Sequence, residues 1–361
     1  MADIDHIIQP NRRRGRGAVS NVTGRYENLS RECTDDGWDG ANELPPFKTH
    51  IQQERAKSII STNNSPDLNF SRSINMYRGC EHGCSYCYAR PSHSYMGLSP
   101  GLDFETKLFA KTNAVELLER ELAKKSYKPE HIALGTNTDP YQPIERQYKL
   151  TRGILELLDR VNHPVAILTK SALITRDIDI LSNMAKRGLV KAAISVTSLD
   201  NITSRKMEPR ASAPHKRLEA LRQLSDAGIP TTAMVAPVIP ALNDFEIESI
   251  LEALKDTGAS NAGYILLRLP LELKQLFREW LEAEFPDRAS HVINLLRSMH
   301  GGQDYRSDWG LRRAGSGPYA EQIATRFRIK RKRLGFTQDK TELRLDLFKP
   351  PTPRGGQYKL I

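Results

Sequence analysis

The chain has 361 residues, of which 39% are hydrophobic, with 53 lysines and arginines against 43 aspartates and glutamates. This length fits one large domain of barrel size with extensions, or two ordinary domains. No apolar run approaches the length of a membrane span, and four cysteines are too few for a disulfide framework. The opening residues lack a basic region followed by an apolar one, so we expect a cytoplasmic protein that does not contact membranes.

The net charge of +10 is unevenly placed along the chain. Four arginines crowd positions 12 to 16, and six basic residues crowd positions 326 to 333. Such clusters attract polyanions by releasing condensed counterions, so they predict a nucleic-acid partner. The alternative is that both clusters are solvated tails.

Residues 1–70 are polar and weakly periodic, and we expect them to form a basic N-terminal extension. From residue 71 to 285 short apolar runs alternate with amphipathic stretches, which is typical of repeated βα units. The predicted strands are Ser73–Tyr77, His131–Leu134, Val165–Thr169, Ala192–Val196, Thr231–Ala236 and Gly263–Leu267. Six such units can curl into an incomplete parallel barrel with helices outside, and the working residues then lie at the carboxyl ends of the strands.

Residues 286–361 are expected to form a helical, basic C-terminal extension. Asp287–Met299 carries an apolar stripe at helical spacing, and Pro318–Arg333 is predicted to be a basic helix. The proline-rich stretch that begins at Pro350 predicts an unfolded tail.

Three cysteines, Cys80, Cys84 and Cys87, follow the first predicted strand within eight residues. Three thiolates can hold three corners of one metal centre and leave the fourth open for chemistry. A structural zinc site is the alternative, but such sites are usually built from two separated ligand pairs. The remaining cysteine is the distant Cys33, so a closed zinc site would need a nearby histidine. The spacing therefore favours an iron–sulfur centre.

Polar residues follow the next four predicted strands. These segments are Gly135–Glu145 after the second strand, Thr169–Ser171 after the third, Ser195–Ser198 after the fourth, and Asn243–Asp244 beyond the apolar Ala236–Pro240 stretch after the fifth. Because the carboxyl ends of parallel strands meet at one edge, these side chains predict a shared site at the barrel mouth.

The C-x3-C-x2-C spacing, with Tyr86 before the last cysteine, resembles the signature of radical S-adenosylmethionine (SAM) enzymes. Three further strings, Cys84–Ala89, Asn137–Glu145 and Leu168–Ser171, resemble the spore photoproduct lyase-like branch of that family over about residues 70 to 285. The Arg14–Ala18 and Tyr88–His93 strings are similar to an uncharacterised bacterial subgroup of the branch.

This resemblance implies an α/β fold, a partial (β/α)6 TIM-like barrel of the radical SAM type between the two extensions. It also implies that Cys80, Cys84 and Cys87 hold a 4Fe-4S cluster whose open iron is chelated by SAM. Tyr86 and Tyr88 are then expected near the cluster or the SAM adenine.

The family likeness implies further SAM contacts at the strand ends. Thr138 and Asp139 stand where the family places the motif that receives the SAM amino group. We expect Lys170 to pair with the SAM carboxylate and Ser195 to bind carboxylate or ribose. Val238 would belong to an apolar shelf for adenine.

The activity implied by the resemblance is reductive cleavage of SAM to a 5′-deoxyadenosyl radical that abstracts hydrogen from a substrate, in a lyase-like or oxidoreductase reaction. The implied partners are SAM and an electron donor such as a flavodoxin or ferredoxin, with nucleic acid as the expected substrate and a monomeric chain. The barrel lacks the additional cysteine of spore photoproduct lyase, so repair of that lesion is not implied. The alternatives are a peptide or protein substrate, or a non-catalytic iron–sulfur or zinc protein that binds nucleic acid.

Overall fold

The computed structural model describes residues 7–28, 45–337 and 342–352. The strands in these ranges are β1 His50–Glu54, β2 Ile60–Thr62, β3 Arg72–Ile74, β4 Tyr77–Arg78, β5 Lys107–Lys111, β6 Ile132–Leu134, β7 Val165–Thr169, β8 Val190–Ser195, β9 Thr231–Val238 and β10 Asn261–Leu266.

The helices in the same ranges are α1 Asp103–Thr106, α2 Ala114–Leu122, α3 Glu145–Tyr148, α4 Leu150–Arg160, α5 Ile178–Ala185, α6 Asn201–Met207, α7 Pro214–Asp226, α8 Ile247–Lys255, α9 Leu273–Glu284, α10 Pro286–Met299, α11 Leu311–Ala314 and α12 Pro318–Arg333. Short 3-10 segments cover Arg90–Met96, Ala172–Asp177 and Asp244–Glu246. None of the helices in this part of the chain combines the length and apolar composition that crossing a bilayer requires.

Six strands form the parallel barrel sheet in the order β3-β6-β7-β8-β9-β10. The short strand β2 pairs antiparallel with β3 at one edge. Within the described residues no pairing joins β10 to β2, so the barrel stays open along one side. The predicted α/β fold, a partial barrel of six βα units, is confirmed.

The barrel forms because the strands bury alternate residues and half-bury those between them, and the helices bury an apolar stripe against the sheet. On α4, Ile154, Leu157 and Leu158 are at most 2% exposed, as their helical spacing indicates. Between strand and helix lie fully buried residues such as Ile167 and Ile194. This packing fixes the strand ends, and with them every loop at the barrel mouth.

The first predicted strand, Ser73–Tyr77, is wrong at its carboxyl end. The barrel strand β3 stops at Ile74, and Tyr77 begins β4, which pairs antiparallel with β5 in a separate three-stranded sheet, β1-β5-β4. Asn75 causes the departure, because its side-chain oxygen accepts the backbone N–H of Asn137 at 3.1 Å. The cysteine loop therefore follows the small sheet, which sets it over the barrel mouth.

Helix α11 lies beside the open side of the barrel, between β10 and the loop that precedes β3. Arg312 forms an ion pair with Asp67 at 2.5 Å and donates to the Ser65 hydroxyl at 2.6 Å. At the far end of the same short helix, Gly315 packs against the Leu266 side chain. The C-terminal extension thus contributes residues to the edge of the barrel.

The predicted helices of the C-terminal extension are present at Pro286–Met299 and Pro318–Arg333. Residues 342–352 pack against the amino ends of the barrel strands, where Arg344 N–H donates to the Gly188 carbonyl at 3.0 Å and Lys349 N–H to that of Val161 at 2.9 Å. Pro351 is buried, so this part of the expected unfolded tail is packed onto the barrel. The rest of that tail lies outside the described residues.

Candidate cluster and cofactor site

The three cysteines lie in a tight loop whose path depends on two glycines. Gly79 has φ +75° and Gly83 has φ +64°, a region that other residues adopt only with strain. A Cβ atom at Gly79 would lie 2.5 Å from the Leu108 side chain. Cys80 and Cys84 are buried, at 7% and 8% exposure, and the three thiols are free of disulfides.

Burial raises the pKa of all three thiols. The thiols of Cys84 and Cys87 lie close enough to raise the pKa of Cys80 further, so the three groups face one another. Lys170 acts in the opposite direction on Cys84 and Cys87, because its positive charge favours the thiolate. The loop therefore gathers three thiols that a metal centre must deprotonate on binding.

The described residues include no group of three His, Cys, Asp or Glu side chains placed to hold a single metal ion. A zinc ion needs its ligands around one centre, whereas a 4Fe-4S cluster takes each thiolate on a different iron. The donor set of three free, converging thiols therefore fits a cluster. The backbone N–H of Asp139 also hydrogen-bonds the Cys80 sulfur, a contact that tunes such ligands.

Asp139, predicted to receive the SAM amino group, is held by protein donors. Its carboxylate accepts the Thr169 hydroxyl at 2.6 Å, the Lys170 N–H at 2.8 Å and the Tyr141 N–H at 2.9 Å. His82 Nδ1 lies 3.4 Å from the same carboxylate. Burial raises the pKa of Asp139, but His82 and these hydrogen bonds outweigh it and lower the pKa to about 2. Asp139 thus connects three loops at the mouth.

The ammonium group of Lys170 lies 5.8 Å from the ring centre of Tyr86. Among the described residues no carboxylate or carbonyl accepts a hydrogen bond from this ammonium. The structure thus places Lys170 near Tyr86 of the cysteine loop, and their contacts with SAM stay predictions. A half-buried lysine without an anionic partner is suited to an incoming carboxylate.

Thr138 and Tyr88 lie at the same mouth with their hydroxyls engaged by the backbone. Thr138 is buried and donates to the Tyr77 carbonyl at 3.2 Å, and Tyr88 donates to the Thr136 carbonyl. Tyr88 is 44% exposed and stacks on the Arg268 guanidinium, 5.0 Å from its ring centre. Their SAM contacts remain predictions.

The fourth and fifth strands end in buried residues beside the cysteine loop. Ser195 is 1% exposed at the end of β8, and Val238 is 1% exposed at the end of β9. Asn243 ties the two ends, because its side chain donates to the Thr197 carbonyl at 2.7 Å and to the Pro237 carbonyl at 3.0 Å. Their predicted roles toward SAM are not tested by this geometry.

Two buried hydroxyls at the mouth, Ser85 Oγ in the cysteine loop and Thr197 Oγ1 after β8, have no hydrogen-bond partner among the residues that the structure describes. Most buried polar atoms in folded proteins are hydrogen-bonded, so an unsatisfied pair at one site calls for a partner. A polar cofactor bound beside the cysteine loop would provide it. The donor set and these hydroxyls fit the cluster and SAM.

Sequence reasoning missed a buried relay behind Tyr86. The Tyr86 hydroxyl donates to Glu208, whose other oxygen forms an ion pair with Arg217. Arg217 is 1% exposed and also donates to the Ser195 carbonyl at 3.0 Å. Burial raises the pKa of Glu208, against the opposing effect of Arg217. The relay links the cysteine loop to the end of β8, and no motif in the sequence marks it.

A second missed feature is Glu105, a fully buried carboxylate behind the cysteine loop. It pairs with Arg90 at 2.5 Å and accepts the backbone N–H groups of Gly17 at 2.9 Å and Ala18 at 2.7 Å. Arg90 also donates to the Cys84 carbonyl at 3.0 Å. The N-terminal arm is thereby anchored against the loop that carries the cysteines.

Several residues of the two basic clusters are used inside the protein. Arg16 is 6% exposed and donates to the Glu105 carbonyl at 2.9 Å, and Arg13 pairs with Glu284 at 3.2 Å. On α12, Arg326 pairs with Glu248 at 2.6 Å. The exposed members of the C-terminal cluster are Arg328, Lys332 and Arg333. Cys33 lies outside the described residues.

The family model for the radical SAM superfamily matches residues 74–254. An uncharacterized protein of Mycobacterium tuberculosis is 36% identical over 236 residues, which cover 65% of this chain and 69% of that protein. An uncharacterized protein of Methanocaldococcus jannaschii is 28% identical over 68% of this chain and 88% of its own length. The chain belongs to the radical SAM superfamily.

Among solved structures, spore photoproduct lyase complexed with dinucleoside spore photoproduct superposes with a TM-score of 0.57. The match covers 79% of each chain at 14% sequence identity, so it shows a shared fold. The resemblance to the radical SAM superfamily, and in fold to its spore photoproduct lyase-like branch, is confirmed. Members of this enzyme superfamily generally use a 4Fe-4S cluster and SAM.

Proposed function

We propose that Cys80, Cys84 and Cys87 hold a 4Fe-4S cluster and that SAM binds at its open iron. The observation that carries this proposal is the buried, disulfide-free group of three thiols inside a chain of the radical SAM superfamily. When bound, the cluster and SAM supply reductive cleavage of the cofactor and a 5′-deoxyadenosyl radical that abstracts hydrogen from substrate.

The residues around the loop bind and orient the cofactor. Lys170 pairs with the SAM carboxylate, because its ammonium lies beside the cysteine loop and has no acceptor in the described part of the chain. Asp139 positions Lys170 through its backbone N–H and fixes the loop through His82. In this arrangement the SAM amino group is received by the Thr138–Asp139 segment rather than by a free carboxylate.

The remaining contacts complete the pocket. Val238 provides an apolar surface for adenine, and Ser195 lies where a ribose or carboxylate is bound. The unpartnered Thr197 hydroxyl supports a polar ligand at this strand end. Tyr86 and Tyr88 flank the cysteines and limit access of water to the site.

Nucleic acid is the proposed substrate class. The chain carries a net charge of +10, and Arg328, Lys332 and Arg333 form an exposed basic surface on α12. The fold match to spore photoproduct lyase, which was solved with a dinucleoside photoproduct, supports the same class. A flavodoxin or ferredoxin is the proposed electron donor.

Anaerobic reconstitution with iron and sulfide, followed by dithionite reduction in the presence of SAM, tests this function. The expected result is four irons per chain and formation of 5′-deoxyadenosine. Stoichiometric zinc without iron in the native protein would favour a structural metal site instead.

A further inference from the structure

Two arginines lie together on the open side of the barrel mouth, beside the cysteine loop. Arg268 follows the last barrel strand and stacks on Tyr88, the residue directly after Cys87. Arg313 belongs to α11, which contacts the same last strand, β10. The Tyr88 hydroxyl lies within electrostatic range of the Cys87 thiol and of both guanidinium groups. The two arginines therefore face the proposed reaction site.

The two guanidinium groups donate to a hydroxyl and to a backbone carbonyl, those of Tyr305 and Asp67. Within the described part of the chain, neither Arg268 nor Arg313 forms an ion pair. Arg268 Nε is buried without a hydrogen-bond acceptor, and Arg313 donates to the backbone carbonyl of Asp67. The Asp67 carboxylate is occupied by Arg312 and by the Gly310 N–H at 2.7 Å.

The two positive charges repel each other, which reduces the stability of the folded protein when no anion lies between them. Burial lowers the pKa of Arg313 and the charge of Arg268 lowers it further, whereas the charge of Asp67 acts in the opposite direction. Like charges held together at a half-buried site destabilise one another unless an opposite charge compensates them. Such an arrangement on two separate elements is expected where an anionic ligand bridges them.

The site also has room for a ligand. A cavity of about 300 Å³ opens beside Arg313; it is also lined by the acidic Asp67 and by Tyr264, Gly310 and Ala314, and Arg268 lies outside this lining. A water molecule takes about 30 Å³ of liquid volume, so the cavity accommodates a group several times larger. The cavity lies on the side of the barrel that the sheet leaves open.

We propose that Arg268 and Arg313 bind a phosphate group of the substrate at the open side of the barrel. Guanidinium groups bind phosphate through paired, charge-assisted hydrogen bonds, and a phosphate has enough oxygens to engage both arginines. The excess of basic residues in the chain favours phosphate over an isolated carboxylate. This inference deepens the proposed function and rests on it for the identity of the reacting site.

The test uses full-length reconstituted protein and a fluorescein-labelled ten-residue oligothymidylate, followed by fluorescence anisotropy. Arg268→Gln and Arg313→Gln are each expected to weaken binding at least about tenfold. The slope of log affinity against log salt should fall by about 0.7 for each lost phosphate contact. Arg222→Gln, at an exposed position of α7, removes the same charge elsewhere and should leave the affinity unchanged.

Competitors identify the bound group. Inorganic phosphate should displace the probe from the wild type at lower concentration than from either variant, and an oligomer with uncharged methylphosphonate linkages should compete poorly. Thymidine monophosphate that competes as well as the oligomer identifies a free phosphate ester as the source. Much tighter binding of the oligomer identifies a nucleic-acid backbone.

Unchanged affinity in both variants, no binding of the phosphate probes by the wild type, or equal competition by polyglutamate would each overturn the inference. If the Gln variant unfolds, Arg268→Lys replaces it in the test. This variant keeps the positive charge but loses the paired donors of the guanidinium, so its affinity should be intermediate. Formation of 5′-deoxyadenosine by the wild type is measured in parallel. If no 5′-deoxyadenosine forms but binding of the probe still depends on the two arginines, the proposed function is refuted and the phosphate site is retained.

Discussion

The carboxylate of Asp139 lies 3.4 Å from Nδ1 of His82, so the loop after the second barrel strand is tied to the loop of the three cysteines. The same carboxylate accepts hydrogen bonds from the Thr169 hydroxyl and the Lys170 N–H. The buried Asp139 side chain therefore holds both the cysteine loop and Lys170, the residue that we propose binds the SAM carboxylate.

Asp139→Asn should destabilise the metal-free protein. The pKa of Asp139 is held at about 2 against an ordinary value of 3.8, which corresponds to roughly 2 kcal/mol of folding free energy at neutral pH. Because the folded-state pKa is lowered, this contribution is present above pH 4 and is lost as the pH falls through about 2. Urea unfolding at pH 7 measures this loss of folding free energy. Equal midpoints for variant and wild type would show that the Asp139 carboxylate does not stabilise the fold.

Lys170→Ala should weaken SAM binding while the cluster remains. The substitution removes a charge-assisted contact that contributes roughly 1.5–3 kcal/mol, which is about 10- to 150-fold in affinity. Equilibrium dialysis with labelled SAM measures the change, and visible absorption monitors the cluster. Lys216→Ala, which removes an exposed lysine on α7, is the matched control. Wild-type affinity in Lys170→Ala would remove this residue from the site.

Arg217→Met should be strongly destabilising, because it leaves the buried Glu208 carboxylate without its ion-pair partner. Breaking one side of a buried pair costs about 3–5 kcal/mol, whereas replacing both partners restores part of that loss. The double variant Glu208→Gln/Arg217→Met should therefore be more stable than Arg217→Met alone in a urea titration. Additive losses in the two single variants and the double variant would show that the pair is not coupled.

The folding stability of the metal-free protein should decrease as the pH falls from about 6.5 to 4. Burial lowers the pKa of both His93 and His163 to about 4, so each histidine takes up a proton more readily in the unfolded state. Their stabilising contribution, roughly 3 kcal/mol for each, is complete above pH 6.5 and is lost as the pH falls through about 4.

The measurement is the urea midpoint as a function of pH. His163→Gln should reduce the dependence on pH in this window, because it removes one of the buried imidazoles whose pKa is lowered by burial. A pH profile that does not change in the variant would assign the acid sensitivity to other groups.

The βα rhythm predicted the barrel, and the cysteine spacing predicted a loop of three thiols, although this loop follows the small sheet rather than the first barrel strand. Both signals are local, since a strand-length apolar run and a three-residue ligand spacing are visible along the chain. The strings Arg14–Ala18 and Tyr88–His93 also meet in space, which no local pattern along the chain indicated. Glu105 joins them by pairing with Arg90 and accepting the Gly17 N–H.

The rest of the site depends on contacts between distant parts of the chain. Tyr86 and Glu208 are 122 positions apart, and their hydrogen bond follows from the curvature of the barrel. Asp139 and Lys170 were predicted as neighbours because both follow parallel strands, but the saturation of Asp139 by protein donors had no signal in the sequence. Likewise, nothing local indicated that Arg16 would be buried behind the cysteine loop.

The role of the cysteines can be separated from that of the fourth thiol. Replacing Cys80, Cys84 or Cys87 by Ala should abolish the visible absorption of the reconstituted cluster, since we propose that each thiolate holds a different iron. Cys33→Ala should keep the absorption. A chromophore that is lost in Cys33→Ala would assign a ligand to the N-terminal extension.

The most direct test of the central claim is the quantity of 5′-deoxyadenosine formed when the anaerobically reconstituted protein is reduced with dithionite and mixed with SAM. We expect the wild type and Cys33→Ala to form it and Cys84→Ala, which lacks one cluster ligand, to form none above the background of free iron and sulfide. A reconstituted wild-type protein with a complete cluster and no 5′-deoxyadenosine, or undiminished formation by Cys84→Ala, would contradict the account.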